Sequence, residues 1–247
     1  MEMYRVVHYG PAVGVGVSRS VYLGISAIGK MNTPDNPYIV PNEIIAAEIG
    51  RYLRLPIPPF CAISGGANSD THFASLDFNL TGASLPPIIP PRFYNEFREH
   101  VGALLAFDIY IANSDRHNGN LSADYAGKQF NVFDHSHVLL SGTAPQGKER
   151  LLRAEASLVV DGSLGGNKHC LLDQIDDDAL FIMGLDRIES IPDWVLEDIV
   201  SSSSSHGLTQ DLSEALIGFL KKRRTEVRGL ISGNKTAFTQ LKAWSVL

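Results

Sequence analysis

The sequence predicts an α+β protein of two lobes, a small antiparallel-sheet lobe followed by a larger, mainly helical one. Three observations carry this. Short β-rich runs broken by Gly and Pro dominate the first part of the chain. Apolar residues recur at helical spacing from Asn95 onward. A proline-rich connector at 86–91 separates the two regimes and sets the lobes at residues 1–85 and 86–247.

Taken in order, residues 4–9 and 20–25 read as strands flanking a Gly/Pro-rich segment at 10–16. Pro41 and Asn42 precede a helix at 43–53, Pro suiting a helix start and Asn a cap. Ile45, Ile49 and Leu53 share one face of it, with Glu48 and Arg51 turned away. Pro56 and Pro58-Pro59 stop the helix and keep the chain extended. Residues 71–79 alternate as a strand. In the second lobe, Phe97, Val101, Leu104, Leu105 and Ile109 mark a helix at 95–112. A polar loop at 113–120 follows, then a strand at 129–133 ending in Asp134-His135-Ser136-His137. Further helices are expected at 177–183, 193–201 and 208–231, with the serine run 201–205 as a connection.

The chain has 247 residues, with 21 Lys+Arg against 27 Asp+Glu and a net charge of −6. It is too apolar for a disordered chain and too acidic for a basic nucleic-acid groove. No apolar run is long enough to span a bilayer, and residues 1–9 lack a signal-peptide core, so a cytoplasmic protein is expected. Cys61 follows Phe60 in an apolar stretch and is expected in the core. Lys221-Lys222-Arg223-Arg224 reads as a solvated helix face. Of eight lysines, only Lys30 lies in the first 127 residues.

The chemistry concentrates in Asp115-Arg116-His117-Asn118-Gly119-Asn120 and in Asp134. An Asp with Asn five residues on occurs twice, at Asp108/Asn113 and Asp115/Asn120, so the spacing alone is unspecific. Context separates them. The first pair begins inside an apolar helix and reads as structural. The second lies in a polar loop ahead of a strand that ends in another Asp. A helix–loop–strand of this kind suits phosphoryl transfer. One Asp orients an attacking hydroxyl, while an Asn and a second Asp offer hard oxygens to Mg²⁺. A lysine from the other lobe would hold phosphate.

The stretch from Phe107 to Asn120, with its Asn-x-Asp-Arg-His-x-x-Asn pattern, resembles the catalytic loop of HipA-like kinases. It is similar, more distantly, to that of phosphatidylinositol 3/4-kinases. Val132-Phe133-Asp134-His135-Ser136 resembles their metal-binding Asp segment. The resemblance implies a two-lobed protein-kinase-like fold, with Asp115 as the catalytic Asp and Asn120 and Asp134 as Mg²⁺ ligands. His117 would support the loop. Gly14, Gly16 and Ser18 resemble the phosphate loop, in which some relatives carry a phosphorylatable serine. Lys30 would hold the nucleotide, with Glu43 of the 43–53 helix facing it. Phe73 to Leu76 would lead into the adenine hinge, and residues 188–191 and 219–224 resemble the family's helical tail.

The implied activity is ATP- and Mg²⁺-dependent phosphorylation of a protein Ser or Thr, by a bacterial toxin or effector. The implied partners are a protein substrate and a cognate antitoxin or regulator. The length leaves no room for the additional N-terminal subdomain of larger HipA toxins. Other readings stay open on the residues alone. One is a silent pseudokinase or binding module, another a lipid kinase. The last is a metal-dependent phosphohydrolase built on Asp115, His117, Asp134, His135 and His137.

Overall fold

The computed structural model describes residues 4, 6–14, 20–65, 71–79, 86–141 and 144–247. Gly16 and Ser18 lie outside them. Strands β1 (Val6–Ala12) and β2 (Val21–Ile25) form an antiparallel ribbon in which Tyr9 faces Leu23. The 10–16 segment is therefore not purely a turn, because β1 continues through Gly10 and Pro11. Strands β3 (Ala27–Met31), β4 (Phe60–Ser64) and β5 (Thr71–Leu76) make an antiparallel sheet ordered β3-β5-β4. Cys61 sits on its edge strand β4 and is exposed, contrary to the core position expected from its apolar neighbours. An edge strand leaves one face and one side to solvent, which a local hydropathy run does not reveal.

Helix α1 (Ile39–Tyr52) begins earlier than residue 43. Pro41 lies in its first turn, where a missing N–H is harmless. Asn42 is no cap. Its side-chain amide donates to the carbonyls of Ser136 (2.9 Å) and Leu140 (2.8 Å), and its Oδ1 accepts from Leu140 N (3.2 Å). It stitches α1 to the second half of the chain. Ile44 and Ala47 pack with Phe73 of β5, while Ile45 and Ile49 join the main core. The helix is buried on both sides, as expected for a helix with little polar surface.

The helical lobe is built on α2 (Pro90–Tyr110), whose start takes in the end of the proline connector and which kinks at Phe97. Leu104, Leu105 and Phe107 are fully buried in the shared core. A hairpin of β6 (Leu121–Asp124) and β7 (Gln129–Val132) follows, then α3 (Ala144–Glu155), α4 (Ile182–Glu189), α5 (Asp193–Ser202) and α6 (Gln210–Gly233). The expected helix at 177–183 is instead a 3-10 turn, Asp178–Phe181, leading into α4. Helix α3 and the four-residue β6 are not among the elements expected from the sequence. Gly102 of α2 lets that turn approach, since a Cβ there would lie 2.2 Å from the Leu180 carbonyl oxygen.

The basic run on α6 divides. Lys221 and Lys222 make surface ion pairs. Arg223 is buried and donates to the carbonyls of Ile109 and Ser157, each at 2.8 Å. It falls one helical turn from buried Phe219 and Val227, so it shares the core face. Among the described residues, no helix is long and apolar enough to cross a membrane.

Candidate active site

Between the β3-β5-β4 sheet and the β6-β7 hairpin lies a cavity of about 360 Å³. Its walls are mainly apolar: Ile28, Ala47, Phe73 and Val132 among them. Lys30, Glu43 and Asp134 close one side. Phe78 and Phe133 meet nearby with ring centroids 5.2 Å apart. Asn79, just beyond β5, lines the cavity, and its buried Oδ1 has no hydrogen-bond partner among the described residues.

Lys30 reaches inward from β3, where it lies opposite Phe73. Its Nζ donates to Glu43 Oε1 at 2.6 Å, to Asp134 Oδ1 at 2.7 Å and to Ser136 Oγ at 3.2 Å. Glu43 is almost wholly buried, against a side-chain exposure of 26% for Lys30 and 36% for Asp134. Glu43 Oε1 also accepts from His135 N (2.9 Å) and Ser136 Oγ (2.8 Å). Burial pushes the Glu43 carboxyl up, but bonding to His135 and the Lys30 charge outweigh it and hold the pKa at about 2. For Asp134 the desolvation penalty is likewise overcome by Lys30, so its pKa is lowered. Lys30 pays desolvation too, yet the two carboxylates raise it. Burial pushes the His135 ring down, toward the neutral form. Asp134 has φ +61°, a left-handed conformation that Asp tolerates better than most residues.

The loop after α2 is polar in sequence but largely buried. Asp108 lies at the end of α2 and accepts from Asn113 Nδ2 (2.7 Å) and Arg116 Nε (2.9 Å). His169 Nδ1 accepts from Leu171 N, which leaves Nε2 to donate to Asp108 at 2.9 Å. Arg116 in turn donates to the carbonyls of Asn120 (2.8 Å) and Phe133 (2.5 Å). One buried ion pair thus holds both the loop and the chain entering Asp134. The first Asp/Asn pair has the structural place its apolar helix suggested.

Asp115 is pinned at both ends. Its N–H donates to Asn113 Oδ1 (2.9 Å), and its Oδ1 accepts from Asn167 Nδ2 (2.6 Å). Asn120 Nδ2 donates to the Asp115 carbonyl at 2.8 Å, which turns its Oδ1 the other way. His117 Nδ1 accepts from Gly119 N at 3.0 Å and caps the single turn Asn118–Asn120. Lys30, Glu43 and Asp134 are therefore in direct contact, and Asp115 and Asn120 share one loop outside the cavity lining. Gly14 takes a left-handed φ of +74° just beyond β1.

Among solved structures, a Helicobacter pylori proinflammatory kinase CtkA superposes over 94% of this chain and 96% of its own, with a TM-score of 0.52 at 15% identity. The chain has a kinase fold. No family model and no curated protein matches the sequence. The β3-β5-β4 sheet and α1 precede the proline connector, and α2 with the later helices follows from it. The cavity sits where the two meet.

Several residues of this kinase-fold site escaped the sequence reading. Ser136 follows Asp134 in the sequence, yet its bonds to Lys30 and Glu43 need the folded chain. Asn167 and His169 come from a Gly-rich stretch without periodicity, and nothing in their neighbours signals a return to the 113–120 loop. Among the described residues, no group of three or more His, Cys, Asp or Glu side chains is placed to hold a metal. This leaves room for Mg²⁺, which takes one or two protein oxygens plus phosphates.

Proposed function

We propose that this protein is an ATP- and Mg²⁺-dependent kinase that phosphorylates a Ser or Thr hydroxyl of a protein. The observation that carries the proposal is Lys30, bound to Glu43 and Asp134 at the polar side of an apolar cavity in a kinase fold.

The residues suit these groups. An apolar cavity of about 360 Å³ is of the size that holds a small planar cofactor. The unpartnered Asn79 Oδ1 offers an acceptor to an exocyclic amine. Asp134 and the Asn120 amide oxygen are hard ligands for Mg²⁺, and Lys30 is a phosphate donor. When bound, Mg·ATP supplies the transferable phosphoryl group.

The chain's own residues then divide the work. Glu43 holds Lys30 in place and keeps its charge balanced before a phosphate arrives. Lys30, now on Asp134, would hold phosphate oxygens, and Asp134 would hold the cation. Asp115, with one carboxylate oxygen on Asn167, presents the other to an acceptor hydroxyl and takes its hydrogen bond. Arg116 keeps this loop in register with Asp134.

Incubation of purified protein with radiolabelled ATP tests the proposal. Expected is transfer to the protein itself or to a lysate protein, lost in Asp115→Ala and Asp134→Ala. No transfer by the wild type, or transfer undiminished in Asp115→Ala, would overturn it.

A further inference from the structure

A second pocket, of about 320 Å³, opens on the other side of the catalytic loop and shares no lining residue with the apolar cavity. Arg150 and Arg153 of α3 line it together with Glu149 and Leu164. Arg150 Nη2 donates to the Ala112 carbonyl (2.9 Å), Ser114 Oγ (3.2 Å) and the His137 carbonyl (3.3 Å). All three acceptors are neutral oxygens. Its Nε is buried with no hydrogen-bond partner among the described residues. Neither guanidinium has a carboxylate within ion-pair distance among the described residues, whereas nearby Lys148 pairs with Asp211 at 3.1 Å. Burial, and to a smaller degree the Arg153 charge, lower the Arg150 pKa. A half-buried guanidinium with an idle N–H, beside a second and exposed one, suits an anion.

The pocket's position says what the anion belongs to. Arg150 is bonded to Ser114, the residue before Asp115. The loop that contributes Leu164 continues to Gly166 and Asn167. Asn167 N donates to the Ser114 carbonyl at 2.8 Å, and its side chain holds Asp115. At Gly166 a Cβ would lie 2.3 Å from the Ser114 carbonyl oxygen, so the loop is packed directly on the catalytic one. The pocket therefore flanks the place where an acceptor hydroxyl meets Asp115.

We infer that the Arg150/Arg153 pocket binds an oxyanion, a carboxylate or phosphate, carried by the polypeptide acceptor near its target hydroxyl. This rests on the kinase reading above. An extended chain advances about 3.3 Å per residue, so a side chain two or three positions from the acceptor spans the gap of one loop residue. The net charge of −6 disfavours an anionic membrane surface as the source.

The test uses the full chain and four probes: inorganic phosphate, a Ser peptide with a neighbouring phosphoserine, the same peptide with Glu, and the same peptide with Ala. Calorimetry reads binding and radiolabel reads transfer. Expected is tighter binding and a higher kcat/KM for the phosphoserine and Glu peptides than for the Ala peptide, by about tenfold, the worth of one charge-assisted contact. Arg153→Gln is exposed and should fold, which its melting curve checks. In it the anionic-to-neutral ratio should fall toward one, and Arg150→Lys should lower it too. Equal handling of all three peptides by the wild type overturns the pocket and leaves the kinase reading standing. Phosphoserine-peptide binding through Arg153 without any transfer supports the anion site and overturns the kinase reading. Arg153-dependent binding to phosphoinositide vesicles but to no peptide overturns the polypeptide source.

Discussion

Lys30 and Asp134 meet at 2.7 Å although 104 residues separate them. One stands on the sheet and the other at the exit of β7, so their contact spans the cleft. In the proposed kinase, Lys30 would turn from this contact to phosphate, and Asp134 to the cation. Lys30→Met should therefore weaken Mg·ATP binding and cut phosphate transfer by about a hundredfold or more, the usual cost of losing a fixed charge at a reacting group. Calorimetry with a non-hydrolysable analogue and a radiolabel assay measure the two. Unchanged transfer in Lys30→Met would remove Lys30 from the mechanism.

Acid should loosen the Lys30–Glu43 pair beside it. Glu43 has a folded pKa of about 2, below its unfolded value of about 4.3. A depressed carboxyl contributes stability that is complete above the unfolded value and lost as pH falls through the folded one. Wild-type melting temperature should thus decline between about pH 5 and pH 2. Glu43→Gln should melt lower than wild type at pH 7 and lose less on acidification. Parallel curves for the two proteins would contradict this. Asp108, also held below the usual carboxylate range, adds acid sensitivity of the same sign, so the comparison with Glu43→Gln is what isolates Glu43.

The Asp108–Arg116 pair has both side chains fully buried at 2.9 Å. Asp108→Ala leaves the guanidinium desolvated without its counter-charge and should cost about 3–5 kcal/mol. That is a large share of the roughly 5–15 kcal/mol typical of a folded domain. A shift of the urea midpoint reads it. A cost under about 1 kcal/mol, no more than a surface pair is worth, would mean that this pair does not hold the loop.

Asn167 holds Asp115 Oδ1 and lies outside the apolar cavity lining. Asn167→Ala should lower kcat by about tenfold through a misplaced Asp115, with the KM for ATP little changed. Asn167→Asp should do worse, since it sets a second carboxylate against the first. A rise in the KM for ATP without a fall in kcat would assign Asn167 a different task.

Packing makes a further demand at Gly102. Its α-carbon faces the Leu180 carbonyl so closely that a methyl group would overlap it. Gly102→Ala should destabilise by about 1–3 kcal/mol through displacement of the 178–181 turn, despite its better helix propensity. Thermal unfolding measures the balance.

Legibility in the sequence followed the range of the interactions. Helices α2, α5 and α6 could be read because their apolar residues repeat every turn. The lone lysine of the first lobe narrowed one role by counting alone. Arg223 is hidden in the sequence because a run of four basic residues masks the one that lies on the core face. The exposure of Cys61 is hidden too, because hydropathy says nothing of a strand's place in its sheet. The arginine pocket on α3 gives no sequence signal, since Arg150 is defined by carbonyls of residues 112 and 137.

The order of Asp115, Asn120 and Asp134 along a helix, loop and strand is local, and the sequence by itself determined it. The meeting of Lys30 with Glu43 and Asp134 was decided only in three dimensions. It depends on the register of β3 against β5, where a slip of one residue would turn Lys30 to the opposite face. It depends also on α1 being clamped to residues 136 and 140 by Asn42. Hydrogen bonds and ion pairs act over about 3 Å, so groups far apart in the chain acquire their chemistry only once packing has brought their elements together.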